Sequence, residues 1–237
     1  GSDSQFNIIR NNIIQNCIQK EVVCRGNSGI MAGNLIEGNL IGGDMTTDGI
    51  QFDDGEEDSV SNREMVIRNN TFFNNAENAI DLKAAGDVVI EGNIIVASIG
   101  DNSGYGGIRT DETSSTHERF GPASIIRGSH KISHNVIIRG NTFYDNLGGV
   151  HSHTNWRVYN NTFVANNRDW SGPDSQWRDS DGKPVFNATF FDGSEPGFAF
   201  LNNVVTGHRH GAIRFSTAGG AWARFDHNCY WRTPDAT

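Results

Sequence analysis

The chain has 237 residues, 36% of them hydrophobic, with 28 Gly and 5 Pro, which is enough apolar material for a core in a chain that turns often. Nineteen Lys and Arg against 28 Asp and Glu leave a net charge of −9, which repels a phosphate backbone and argues against nucleic acid as a partner. No run of about 18 apolar residues is present to span a bilayer, and the first residues lack the charged-then-apolar plan of a signal peptide.

In chain order, repeat material begins at Phe6 with no polar segment before it to cap a solenoid. The expectation is a single domain over 1–237 that is part of a longer protein. Cys17, Cys24 and Cys229 make an odd count, so Cys17 and Cys24 form either a bridge or two buried thiols, and the redox compartment stays open. Similar strings then recur: FNIIRNNII (6–14), NLIEGNLI (34–41), MVIRNNTFF (65–73), VVIEGNII (88–95), VIIRGNTF (136–143), WRVYNNTF (156–163), FAFLNNVV (198–205) and ARFDHNCY (223–230). Their anchors are Asn12, Asn39, Asn70, Asn93, Asn141, Asn161, Asn203 and Asn228, separated by 27, 31, 23, 48, 20, 42 and 25 residues. The basic period is therefore about 20 to 30 residues, with insertions or less recognisable coils in the two long intervals. Apolar residues alternate before each Asn, which is a strand pattern, and the Asn suits a tight bend, a bond to local backbone and a stack on the Asn of the next coil.

About ten residues after the Asn a second string recurs: GIQFDD (49–54), AIDLKA (79–84), GIRTDE (107–112), GVHSHT (149–154) and AIRFST (212–217). If the aliphatic residue points inward, the residues one and three places later point outward. Coils about 4.8 Å apart then form two exposed columns, Gln51, Asp81, Arg109, His151 and Asp53, Lys83, Asp111, His153, with Arg214 and Ser216 further along. The plain reading is a ladder of solvated ion pairs worth under about 1 kcal/mol each. Two His alternating on one strand beside Lys, Arg and Asp favour a working face instead. The outward positions of the Asn-bearing strands, Arg10, Glu37, Arg68, Glu91 and Arg139, read as scattered charges.

After Asp53 the chain runs Asp54-Gly55-Glu56-Glu57-Asp58, a carboxylate cluster that is either a hydrated turn or a place for Ca²⁺. Two insertions follow, Asp111 to Lys131 and roughly Arg168 to Lys183. The second carries Trp170 and Trp177, which either pin the loop to the solenoid or offer a platform to a sugar ring.

The Asn-anchored coils resemble the pectate lyase-like right-handed parallel β-helix superfamily over about residues 6 to 232. The resemblance implies an all-β, single-stranded right-handed parallel β-helix, a solenoid with an Asn ladder. In β-helix pectate lyases a calcium ion held by Asp residues bridges enzyme and substrate carboxylate, and a Lys or Arg removes the adjacent proton. Asp81-Leu82-Lys83 is similar to a string of one lyase branch. The expectation is a secreted, periplasmic or cell-surface polysaccharide lyase cleaving an acidic, uronate-containing glycan by β-elimination. Ca²⁺ at Asp53, Asp54 and Asp81, or Arg109, would neutralise the carboxylate, Lys83, His151 or His153 would act as base, and Gln51, Arg214, Trp170 and Trp177 would bind substrate. A non-catalytic glycan-binding or structural β-helix of adhesin or tailspike type stays open. A β-helix glycoside hydrolase ranks lower, because Asp48-Gly49 and Asp53-Asp54 lie on one strand rather than on successive coils.

Overall fold

The computed structural model describes residues 5–15, 22–25, 31–42, 49–53, 62–73, 75, 79–82, 85–96, 126–128, 135–144, 146, 150–152, 155–164, 189–191, 197–206, 213–215 and 224–231. Regular structure among them is all strand, and no helix is long and apolar enough to cross a membrane. The first sheet stacks Ile8–Arg10, Leu35–Glu37, Val66–Arg68, Val89–Glu91, Ile137–Arg139, Arg157–Tyr159, Ala199–Leu201 and Arg224–Asp226. The second stacks Ile13–Gln15, Leu40–Gly42, Thr71–Phe73, Ile94–Val96, Thr142–Tyr144, Thr162–Val164, Val204–Thr206 and Cys229–Trp231. The third stacks Val22–Arg25, Ile50–Asp53, Ile80–Leu82, Ile126–Gly128, Val150–Ser152, Thr189–Phe191 and Ile213–Phe215. Each strand pairs in parallel with its counterpart one coil away, so the chain winds as the expected parallel β-helix.

The core follows from strand alternation. The middle residue of each first- and second-sheet strand points inward, so Ile67, Ile90, Ile138, Val158 and Phe200 meet Phe72, Ile95, Phe143, Phe163 and Val205 with no more than 1% exposed. The rings of Phe143 and Phe163 stack at 4.5 Å, and Phe163 tilts against Phe200 at 5.9 Å.

The Asn ladder turns the chain from the first sheet into the second. From Asn12 to Asn203, each ladder Asn donates its backbone N–H and its Nδ2 to the Oδ1 of the Asn one coil on, at 2.9–3.1 Å. The Nδ2 groups from Asn39 onward also reach a carbonyl of the preceding coil, as in Asn70 to Ile36 and Asn93 to Ile67 at 3.0 Å. The ladder Asn itself does not make the bend. The residue before it does: Asn11, Gly38, Asn69, Gly92, Gly140, Asn160, Asn202 and His227 have φ of 53–65°. Asn and Gly are the residues that enter this left-handed region at least cost. Where an Asn lies over a Gly the fit is close, since a Cβ on Gly38 would sit 2.5 Å from Asn11 Oδ1.

Direct bonding of Asn93 to Asn141 shows that the 48-residue interval is one coil and not two. It also corrects the insertion boundaries. Ile126–Gly128 is a third-sheet strand inside the stretch expected to leave the coil, so the extra residues fall in 97–125. In the 42-residue interval they fall in 165–188, ahead of Thr189–Phe191. Both long segments thus lie between a second-sheet strand and a third-sheet strand. Cys229 is free and exposed, whereas Cys17 and the side chain of Cys24 lie outside what is described.

Candidate functional site

On the third sheet, the residues alternating with the inward Ile50, Phe52, Ile80, Leu82 and Val150 form one column of register partners. It reads Val23, Gln51, Asp81, Arg127, His151, Phe190 and Arg214. Gln51, Asp81, His151 and Arg214 therefore share a column, as expected. The position between Asp81 and His151 belongs to Arg127, which replaces Arg109 in the expected register; Arg109 itself lies outside the described residues. Spacing carried the signal for this. Ile126 to Val150 is 24 residues (150 − 126), one ordinary coil, whereas Ile108 to Val150 is 42 (150 − 108). The same 24-residue step, from Thr189 to Ile213 (213 − 189), marks Phe190, another member missed in the sequence.

The expectation of exposure is corrected for two members of the column. Gln51 and Asp81 are each 1% exposed although they point away from the apolar interior. Burial of a carboxylate is costly unless it is hydrogen-bonded, and Gln51 Nε2 donates to Asp81 Oδ2 at 3.4 Å, the long end for such a bond. Asp81 is thus shielded from open solvent, with Gln51 beside it.

Asp53 pairs in register with Arg25, but its side chain is outside what is described, as are those of His151 and Arg214. Lys83, His153, Asp54, Trp170 and Trp177 lie outside the described residues. Among the described residues no three of His, Cys, Asp and Glu gather as a metal site.

The first sheet shows what a purely structural charge column looks like. Arg10, Glu37, Arg68, Glu91, Arg139 and Tyr159 are successive register partners, so the charges expected to be scattered alternate in sign. Glu37 accepts from Arg10 and Arg68, both at 2.7 Å, and Arg139 spans Glu91 at 2.6 Å and the Tyr159 hydroxyl at 3.3 Å. The Arg68 hydrogen bond leads in holding the Glu37 carboxyl below its usual range. Solvent screens such surface pairs, so each adds little to stability.

A family model described as "Right handed beta helix region" matches residues 1–119, half of the chain. Among solved structures, the A-module of a mannuronan C-5 epimerase from Azotobacter vinelandii superposes with a TM-score of 0.56 at 12% identity. The match covers 97% of this chain and 58% of that one, so this chain spans under two thirds of the module's length. No curated protein sequence matches.

Proposed function

We propose, on the premise that this chain belongs to the right-handed β-helix family, that it acts on a uronate-containing polysaccharide at the third sheet by removing the proton next to the sugar carboxylate. The observation that carries this is the run Asp81, Arg127, His151 on three consecutive strands. The strands are about 4.8 Å apart, so the run spans about 10 Å. A guanidinium beside the substrate carboxylate spreads the charge that builds up when the adjacent C–H ionises, and its planar fork suits a carboxylate. Asp81, buried one strand away, is the positioning residue for Arg127. His151 on the other side is the base, suited to proton removal near neutral pH. In the lyase reading the base takes the C5 proton, the C–H electron pair becomes the C4–C5 double bond, and the C4–O4 bond breaks, with the departing O4 taking a proton from water. Phe190 and Arg214, further along the column, extend the binding face. Calcium at Asp53, Asp54 and Asp81, with Lys83 or His153 as base, stays within the proposal but carries no step of it. The likeness in fold to an enzyme acting on mannuronan, a uronate polymer, supports the substrate class.

The test is incubation with polymannuronate, polyguluronate and pectate in D₂O, with and without chelator. Unsaturated product detected by ultraviolet absorbance indicates elimination. Deuterium at C5 without unsaturation indicates epimerisation, which shares the first step. Arg127→Ala and His151→Ala should each lower turnover about a hundredfold or more, with Lys83→Ala and His153→Ala run alongside to assign the base. Neither product on any of the three polymers would leave a binding or structural β-helix as the reading.

A further inference from the structure

The column on the third sheet divides into two unlike parts. Its first three positions, Val23, Gln51 and Asp81, are apolar, neutral and acidic, whereas the four that follow, Arg127, His151, Phe190 and Arg214, are cationic, titratable near neutral pH or aromatic. Burial marks the first part as well. Gln51 and Asp81 are closed to solvent although they alternate with the inward residues of their strands. The closure belongs to this sheet and not to the two coils as a whole. On the first sheet of the same coils the Glu37 and Arg68 side chains are 18% and 38% exposed, and on the second sheet Leu40 and Thr71 are partly exposed.

Both differences bear on how a polymer can lie. Strands stand about 4.8 Å apart, so an extended glycan running along the column sets roughly one sugar on each. Beyond His151 such a chain reaches the positions of Phe190 and then Arg214, residue types that suit the C–H face of a sugar ring and a uronate carboxylate. On the other side of Arg127 it reaches Asp81, an acid that shares the sign of the substrate, and then Gln51. Neither offers a surface to be covered, because both are already out of water. A glycan binds through accessible side chains, so the sugars that the column can hold are those from Arg127 onward. The reacting uronate over Arg127 and His151 therefore stands at the closed end, and the rest of the chain runs towards Arg214.

We propose that the third-sheet site is open at one end only and acts on the ends of uronate chains, giving products of one short length instead of cutting at random within the polymer. This rests on the function proposed above and adds the part of the substrate that is recognised. The test uses polymannuronate, polyguluronate and pectate, each intact and each cut by mild acid, at equal mass and below saturation. Cutting to about a tenth of the length supplies about ten times as many ends, so the initial rate should rise about tenfold. Viscosity of the intact polymer should fall little while product accumulates, and mass spectrometry should find one short product. If the reaction is epimerisation in D₂O, deuterium should be confined to sugars at the chain end. Arg214→Ala, on the open side, should raise KM about tenfold with kcat little changed. Val23→Glu, beyond the closed stretch, should leave both constants as in wild type, with circular dichroism to confirm the fold. A steep loss of viscosity at low conversion, equal rates on long and short chains, or a raised KM in Val23→Glu would each overturn this inference and leave the proposed function standing. No turnover on chains of either length would remove both together.

Discussion

Replacing Asn93 by Ala tests whether the ladder holds the coils together or merely fills the turn. The Asn93 side chain takes part in four hydrogen bonds. Its Oδ1 accepts from Asn70 N and Nδ2 at 2.9 and 3.0 Å, and its Nδ2 donates to Asn141 Oδ1 at 2.9 Å and Ile67 O at 3.0 Å. After truncation Asn70 Nδ2 keeps Ile36 O and Asn141 Oδ1 keeps the Asn93 N–H, so the buried groups stranded are the Asn70 N–H and one lone pair on Ile67 O. An orphaned buried donor costs about 1–3 kcal/mol, and the two together about 3 kcal/mol. At 2–4 °C per kcal/mol for a domain of this size, Tm should fall by about 6–12 °C, and the urea midpoint should fall with an unchanged m-value. The control is Asn75→Ala. Asn75 is also fully buried, but neither atom of its amide has a hydrogen-bond partner among the described residues, so its loss should cost about 1 kcal/mol or less. Equal shifts in the two variants would refute the reasoning, because volume and not ladder bonding would then account for both.

Glu64 holds φ at 55° on an exposed turn, so Glu64→Gly should raise Tm by a few degrees in calorimetry, the relief of about 1–2 kcal/mol of left-handed strain outweighing the added freedom of the unfolded chain. Phe163→Ala removes a ring fully buried between Phe143 and Phe200 and should cost about 3–5 kcal/mol in urea unfolding. Glu37 has a folded pKa depressed below 4.5, chiefly by the Arg68 hydrogen bond, so its stabilising share is present above 4.5 and is lost as pH falls through the lowered value. Urea midpoints followed downward from pH 4.5 should therefore drop less in Glu37→Gln than in wild type, with the difference shrinking in high salt.

The coil architecture was legible in the sequence because each anchor Asn sits at a fixed offset from two short alternating runs. That offset survives insertions elsewhere in the coil. The column on the third sheet was legible only in part. Arg109 and Arg127 both follow an Ile in an outward phase, and alternation alone cannot choose between them; the 24-residue distance to Val150 does. Phe190 was hidden because Thr189 stands where the other third-sheet strands have an aliphatic residue. The burial of Gln51 and Asp81 had no local signature, since alternation gives the direction of a side chain and not its accessibility. The alternation of Arg10, Glu37, Arg68 and Glu91 was visible as a list but became a ladder only once register made them neighbours.

The bond from Asn93 to Asn141 has the same length as the bond from Asn70 to Asn93 to within 0.1 Å, although one bridges 48 residues and the other 23. The closure entropy of a flexible segment rises only by about 0.6 kcal/mol for each doubling of its length. The coil geometry is therefore nearly indifferent to how much chain departs between the second and third sheets. This corner is a permissive port, where new sequence can be grafted or drift in length while the pitch on either side stays the same. Shortening 97–125 to the seven residues that join Gly42 to Ile50 should consequently leave the neighbouring coils stacked as before.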